Sequence, residues 1–369
     1  MLKTSLKVLK QLENSGYEAY IIGGFVRDYI MGIDSLDVDI ATNATPRQIK
    51  EVFKEVALPK EDYGSISLIS KSFRFEITTF RKELSYHDNR KPKQIEYIDD
   101  LKVDLERRDF LMNTLCMNSK GEIIDYLGGR KDIDNKLINC VNDPIFKFYQ
   151  DPLRILRAIR FATTLKFKLS KSTKNAIIKT AASLERLSFQ RKREELDKIF
   201  SHPDAKIGIK LIKDLKLDKY LEIDISNVKL GGDLMGIWAS IKASDKYPFN
   251  RNEKELIEEI RYLEDKDNLD EAILYKHGLY VNIISASLKG IDRAKVVKKY
   301  DKLVIKSPKD IKITTKEILK LLKNKDKTSL RDILNELEEK ILTKSLKNET
   351  KDLVKYINDK YGEAWVKKY

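Results

Sequence analysis

Ile21-Ile22-Gly23-Gly24-Phe25-Val26-Arg27-Asp28, followed by Leu36-Asp37-Val38-Asp39-Ile40-Ala41-Thr42, decides how this 369-residue chain is read. Side chains alternate along a strand, so Asp37 and Asp39 share one face while Val38 and Ile40 turn to a core. Two carboxylates this close repel each other unless a cation sits between them. A pair of Mg²⁺ ions, which take oxygen ligands, is one solution, and two-metal sites serve phosphoryl and nucleotidyl transfer. An exposed strand edge with two solvated acids is the other. The upstream segment weighs against that plainer alternative. Gly23-Gly24 joins a strand to a helix, where paired glycines let backbone N–H groups approach a phosphate and the helix N-terminus adds favourable partial charge. Arg27 reaches a triphosphate from the first turn. The spacing puts a triphosphate cradle beside a metal site in one small unit.

The pattern around this core is α+β. Leu6, Leu9 and Leu12 recur at helical spacing and Gly16 ends that helix. Residues 18–22 and 37–41 read as short strands with a helix over 25–31 between them. Thr45-Pro46 combines an N-cap with proline at the first helical position and opens a helix to Phe53. Residues 65–70 and 73–80 read as two strands joined at Lys71-Ser72, and 122–125 as a last strand, giving a mixed sheet of about five strands. After residue 147 the strand signals fade. Residues 152–166 are helical with Ile155, Leu156 and Ile159 on one face. Further helices are expected over 191–200 and 206–215, and later helices around Ile333, Leu334, Leu337, Ile341 and Leu342 and around Leu353, Tyr356, Ile357 and Tyr361. Ser329 to Asp332 resembles a capping box. The division expected is a head at 1–145, a helical neck at 146–210, a helical body at 211–295 and a basic helical tail at 296–369.

Composition narrows the partners. The chain has 72 Lys+Arg against 58 Asp+Glu, a formal +14. Such a balance favours a polyanionic partner, although a Lys-rich composition alone also produces it. The last 74 residues hold 20 Lys and Arg against 12 Asp and Glu, more than half of the excess. Cys116 and Cys140 are too few for a disulfide scaffold or a Cys-rich zinc module, and His87, His202 and His277 are scattered. No apolar run approaches the ~20 residues that span a bilayer. The longest, 279–288, is broken by Asn282, Ser285 and Ser287. With no signal-peptide pattern at the N-terminus, a soluble cytoplasmic protein without a membrane or protein partner is expected.

The opening stretch, Gly23-Gly24-x-Val26-Arg27-Asp28 with Leu36-Asp37-x-Asp39-Ile40-Ala41-Thr42, resembles the first motif of class II tRNA nucleotidyltransferases. These are the bacterial CCA-adding enzymes and the related bacterial poly(A) polymerases, within the DNA polymerase beta-like superfamily. Four further motifs follow in the family's order over residues ~20 to ~200. Arg107-Arg108-Asp109-Phe110-x-x-Asn113 is similar to the second, which implies sugar contacts by Arg108, Asp109 and Asn113. Asp125-x-x-x-Gly129-x-x-Asp132 resembles the third, a hinge. Asp151-Pro152-Leu153-Arg154 resembles the fourth, the protein template for the incoming base. Cytosine and adenine both present an amine beside a ring-nitrogen acceptor, which Asp151 and Arg154 complement. Guanine and uracil reverse both polarities, at ~1–3 kcal/mol for each buried mismatch.

The resemblance also implies nucleotide contacts for Arg157 and Arg160. Steps of three residues drift by roughly 60° on a helix, so these two suit phosphates or the helix frame better than the base edge. Gln150 and Gln190 stand where the fourth and fifth motifs usually carry Glu, and the fifth reads as ion pairs along its helix such as Arg191 with Glu195. Residues 81–93, with Tyr86, Asp88, Arg90 and Pro92, resemble the flexible loop of CCA-adding and A-adding members, or on composition alone a polar hairpin connection. No His-Asp phosphohydrolase signature follows.

The function implied is template-independent addition of C, C and A to the tRNA 3′ end from CTP and ATP, releasing pyrophosphate. Asp37 and Asp39 would hold Mg²⁺ in a two-metal site, Gly23, Gly24 and Arg27 would hold the triphosphate, and the tail would grip tRNA. The alternatives are an A-adding enzyme or poly(A) polymerase of the same family and, more distantly, a non-catalytic RNA-binding protein.

Overall fold

The computed structural model describes residues 1–35, 37–54, 57–60, 64–70, 73–87, 91–322 and 327–362. Leu36, Lys71-Ser72, Asp88 and Arg90 lie outside these residues. The chain divides into two compact units. One is Met1–Ile223 with Ser244–Pro248, and the other is Asp224–Ala243 with the described residues from Phe249 onward.

The first unit opens with α1 (Leu2–Asn14), whose Leu9 and Leu12 are fully buried. β1 (Ala19–Ile22), α2 (Gly24–Met31) and β2 (Val38–Thr42) follow. Gly23 is the N-cap of α2 at φ 73°, and Gly32 closes it at φ 69°. An L side chain is strained at such angles, which is why the turn before α2 needs glycine. α3 (Pro46–Val52) carries the expected cap: Thr45 and Gln48 form a reciprocal capping box, with Pro46 in the first turn. Next come β3 (Ala57–Lys60), β4 (Ser65–Ser70), β5 (Phe73–Thr79), β6 (Arg81–His87) and β7 (Lys91–Tyr97). Then follow α4 (Leu101–Glu106), β8 (Cys116–Met117), β9 (Ile123–Ile124) and α5 (Gly129–Asp134).

Among the described residues the sheet has seven strands, in the order β3-β4-β5-β2-β1-β8-β9, where about five were expected. The two extra strands lack a local signal. β3 carries Pro59 and lies at the edge, where a missing N–H breaks no interior ladder. β8 is two residues long and held by its neighbours β1 and β9. The sheet is mixed as expected, because β2 pairs antiparallel with β1 and parallel with β5. The segment read as a polar loop forms a separate antiparallel hairpin, β6 with β7. Val38 and Ile40 of β2 are fully buried. Each such side chain contributes about 1.5–3 kcal/mol, which fixes the register that turns Asp37 and Asp39 the other way.

Helices complete the unit: α6 (Pro144–Gln150), α7 (Leu153–Leu165), α8 (Lys171–Thr180), α9 (Phe189–Phe200), α10 (Ala205–Asp214) and α11 (Asp218–Leu221). Ile155, Leu156 and Ile159 of α7 are fully buried, and α7 packs against α9 and α10. Gly208 is where α10 comes closest. A Cβ there would lie inside contact distance of Ile199 and Thr163.

The second unit is helical: α12 (Leu234–Ser240), α13 (Arg251–Tyr262), α14 (Glu271–Leu288), α15 (Arg293–Asp301), α16 (Thr315–Leu321), α17 (Lys327–Leu342) and α18 (Thr350–Ile357). α14 is broken at Gly278, at φ 72° and ψ 173°. Buried Asn282 donates its side-chain amide to the Gly278 carbonyl at 2.8 Å. Of the polar residues that interrupt the longest apolar run, Asn282 thus serves a kink, while Ser285 donates to the Leu263 carbonyl and Ser287 to that of Ile283. Both expected tail stripes are real, with Ile333, Leu337, Ile341, Leu353 and Ile357 in one buried cluster. α17 begins two residues before Ser329, so the capping box read there is not the helix start. No helix among the described residues is long and apolar enough to cross a membrane.

Candidate active site

Every residue that the sequence assigned to the nucleotide or the metal lines one cavity of about 450 Å³ in the first unit. They are Gly23, Gly24, Arg27, Asp37, Asp39, Arg108, Asp109, Asn113, Asp151, Arg154, Arg157 and Arg160. Four segments far apart in sequence meet there: the β1–α2 turn, the start of β2, the turn after α4, and α7 with the residue before it.

The arginines are held rather than loose. Arg27 is buried and donates Nε and Nη2 to Asp28 at 2.8 and 2.7 Å, and Nη1 to the Asn113 side-chain oxygen at 2.7 Å. Asn113 in turn donates Nδ2 to Asp109 at 3.2 Å. Asp109 also accepts from the Phe110 N–H at 2.8 Å and from Arg157 Nε at 2.7 Å. A continuous chain, Asp28–Arg27–Asn113–Asp109–Arg157, therefore ties the first, second and fourth motifs together. Burial alone would raise the Asp109 carboxyl, but Arg157, with Asn113 behind it, holds it down at about 2. Asp109 is an anion throughout the neutral range.

The glycine turn abuts this chain. A Cβ on Gly23 would lie 3.5 Å from Arg108 Nη1, and one on Gly24 would lie 3.6 Å from Arg27 Nη2. Arg107 and Arg108 share buried Asp104, Arg107 at 2.8 Å and Arg108 at 3.4 Å. The buried Nε of Arg108 has no hydrogen-bond partner among the described residues. The atom of this guanidinium that lies beside the glycine turn is Nη1, a charged donor placed where an anionic ligand on that turn would meet it.

Arg154 donates to the carbonyls of Lys147 at 3.3 Å and Arg107 at 3.1 Å. A guanidinium has five N–H donors, so some are left for a base edge. Asp151 is the C-cap of α6; it accepts from the Leu153 N–H at 3.2 Å and pairs with Arg191 at 3.3 Å. Arg191 was expected to pair along its own helix. Instead it crosses to the residue assigned to the base, while Glu195 takes Arg160 at 2.7 Å and Lys198 at 2.9 Å. Arg160 is thus bridged to a neighbouring helix, the frame role that its position on α7 suggested.

The acids split into two kinds. Asp28, Asp109 and Asp151 each have an arginine. Asp37 and Asp39 have no ion pair among the described residues. Burial, and then the neighbouring Asp37, push the Asp39 carboxyl up to about 6. Two carboxylates on one face, destabilising each other without a cation, form a donor set that fits a hard divalent ion. Among the described residues no group of three or more His, Cys, Asp or Glu stands close enough to hold a metal by itself.

Sequence reasoning missed two residues and one pairing. Glu76 lies in register beside Asp39 on the parallel neighbour β5, and its charge also raises the Asp39 carboxyl. No local pattern links positions 39 and 76; only the parallel pairing does. Arg191 was seen, but its partner was not. Phe161 lines the cavity and was not singled out in the sequence.

Comparison with known proteins matches these parts to named families. Residues 19–139 match the family described as Poly A polymerase head domain. Residues 166–224 match "Probable RNA and SrmB- binding site of polymerase A" and residues 241–357 match tRNA nucleotidyltransferase domain 2. The chain is 32% identical to a CCA-adding enzyme of Ligilactobacillus salivarius, over 95% of both chains. It is 33% identical to one of Lactococcus lactis subsp. cremoris, over 93% of this chain and 92% of that one. In fold it resembles the crystal structure of the Bacillus stearothermophilus CCA-adding enzyme in complex with CTP, at a TM-score of 0.84 and 24% identity over 96% of each chain. It also resembles the Thermotoga maritima CCA-adding enzyme complexed with tRNA, at a TM-score of 0.71 and 22% identity over 97% of this chain and 94% of that one.

Proposed function

The chain belongs to the family of CCA-adding enzymes, and from that premise we infer that it adds C, C and A to the 3′ end of tRNA, using CTP and ATP and releasing pyrophosphate. The observation that carries the reading is the convergence of all twelve sequence-assigned residues on one cavity. The Asp37–Asp39 face, which has no ion pair among the described residues, is the feature there that a bound cation would complete.

In this reading the backbone of Gly23-Gly24, with Arg27 and Arg108, binds the triphosphate. Arg27 is aimed by Asp28 and Asn113, so little side-chain freedom remains to be lost when the nucleotide arrives. Asp109 and Asn113 face the sugar, with Asp109 held by Asn113, Phe110 and Arg157. Asp151 accepts from the exocyclic amine of C or A, and Arg154 donates to the adjacent ring nitrogen. Arg191 fixes the Asp151 carboxylate as an acceptor and so opposes G and U. Asp37 and Asp39 would hold Mg²⁺ as a two-metal site, with further oxygen ligands coming from the substrates. Such ions, when bound, supply activation of the 3′-hydroxyl and neutralise charge on the leaving pyrophosphate. The hydroxyl attacks the α-phosphate in line. The head (1–145) carries this chemistry, the neck (146–210) the base template, and the body (211–295) and basic tail (296–369) hold the tRNA. A cytoplasmic location suits that substrate.

The test is incubation with tRNA lacking its 3′ end, CTP, ATP and Mg²⁺. Growth that stops after C-C-A supports the reading. Long A tails without C would make the chain a poly(A) polymerase, and addition of A only to tRNA already ending in C-C would make it an A-adding enzyme. No addition at all would leave the non-catalytic RNA-binding alternative.

A further inference from the structure

Three guanidinium groups converge on one aromatic ring in the cavity. Arg160 lies 4.3 Å from the centroid of Phe161, Arg27 5.3 Å and Arg157 5.4 Å. Phe161 is 6% exposed and lines the same cavity. The three arginines come from two elements, α2 and α7, and each has a different acid: Asp28, Asp109 and Glu195. Like charges gathered this closely repel, although Asp109 and Glu195 each offset part of this at both Arg157 and Arg160. The negative face of the Phe161 ring adds an attraction at the point where all three guanidiniums come together.

We propose that Phe161 is a positioning residue, a cation–π hub that holds Arg27, Arg157 and Arg160 in the array that receives the nucleotide triphosphate. An aliphatic side chain of similar size would fill the space equally well. It would lack the quadrupole, so the arginines would be free to move apart toward their separate acids. The role rests on the nucleotidyltransferase reading of the cavity and adds to it what sets the arginine geometry. Burial, and to a lesser degree Arg157, pull the Arg160 guanidinium below its ordinary value against Glu195, whereas Asp109 holds Arg157 above its own.

The experiment replaces Phe161 by phenylalanines carrying progressively more ring fluorines, which nearly preserve size while draining the negative face. A Phe161→Leu variant accompanies the series. The binding readout is the CTP dissociation constant of the full-length protein without tRNA. It is expected to weaken stepwise with fluorination and by about tenfold for Phe161→Leu, about 1.4 kcal/mol, while the melting temperature of the fluorinated proteins stays put. A packing role predicts flat affinity across the series, and that result overturns the proposal. The second readout is the NMR resonances of the Arg27, Arg157 and Arg160 Nε–H groups in the nucleotide-free protein. The hub requires all three to move together along the series, and independent or absent movement overturns it. Failure of the native chain to bind CTP would sink the nucleotidyltransferase reading, and the Nε–H resonances would still decide whether the hub exists.

Discussion

Replacing Arg157 with methionine tests the central network most directly. The longer apolar stem keeps packing near Phe161 but removes the cation from Asp109. In the native chain Asp109 titrates at about 2, against an ordinary 3.8. A difference of about two units corresponds to about 2.5 kcal/mol. Arg157 is about a third exposed, at 34%, so solvent screens part of that. Asn113 and the Phe110 N–H also remain to hold the carboxylate. The expected loss is about 2 kcal/mol at pH 7, below the ~3–5 kcal/mol seen when a fully buried pair loses one partner. The pH dependence follows from the direction of the shift. A depressed carboxyl contributes stability that is fully present above its unfolded value, near 4, and is lost as pH falls through about 2. The gap between native and variant should therefore be constant from pH 5 to 8 and narrow only below about pH 4. Urea unfolding at pH 7, 5 and 4 measures the gap, and carbon-13 NMR of the Asp109 carboxyl measures its titration. In Arg157→Met the carboxyl should rise to or above the ordinary range. A gap under about 0.5 kcal/mol at pH 7, the scatter of surface substitutions, or a variant carboxyl still titrating below 3 would refute the reasoning.

Asp39→Asn should cut nucleotide addition by about a thousandfold, the scale of several kcal/mol of lost metal-dependent stabilisation. In metal-free buffer the same variant should melt no lower than the native chain, because one of two repelling carboxylates is gone; a lower melting temperature would contradict the assignment. Gly23→Ala places an L side chain at φ 73° beside Arg108 and should cost about 1–2 kcal/mol, read by urea unfolding, together with weaker CTP binding. Arg191→Ala should raise misincorporation of G and U relative to C and A more than it lowers the rate with CTP, and unchanged discrimination in a competition assay would separate Arg191 from base choice. Binding of tRNA should weaken linearly on a plot of log affinity against log salt, with a slope of about −0.9 per phosphate neutralised, and a flat plot would detach the basic tail from RNA.

The parts of this protein that were readable in its sequence are those in which position along the chain encodes position in space. The alternation of Asp37, Val38, Asp39 and Ile40 fixes which faces of β2 are wet and dry, because two buried side chains outweigh any competing register. The Thr45-Pro46 start of α3 and the buried stripe of α7 are legible for the same reason: period and capping are local. The strands that were not foreseen, β3 and β8, exist because neighbouring strands supply their hydrogen bonds, and no local pattern records that. The same division runs through the cavity. Sequence names which arginines and aspartates belong to it, but not which is bonded to which. Arg157 with Asp109, Arg191 with Asp151, and Arg160 with Glu195 span 48, 40 and 35 positions, and in each case the partner is chosen by the tertiary packing of α7 or α9 against other segments. Those pairings carry a consequence that motif spacing does not contain. Of the residues assigned to the nucleotide, Arg27, Asp109, Asn113, Arg154, Arg157 and Arg160 already have protein partners. The nucleotide thus meets an array set by the protein, in which Asp37, Asp39 and the Arg108 Nε are the groups without one among the described residues. In such an array, selection between bases depends on how firmly Asp151 and Arg154 are held, and therefore on residues such as Arg191 that need not touch the base.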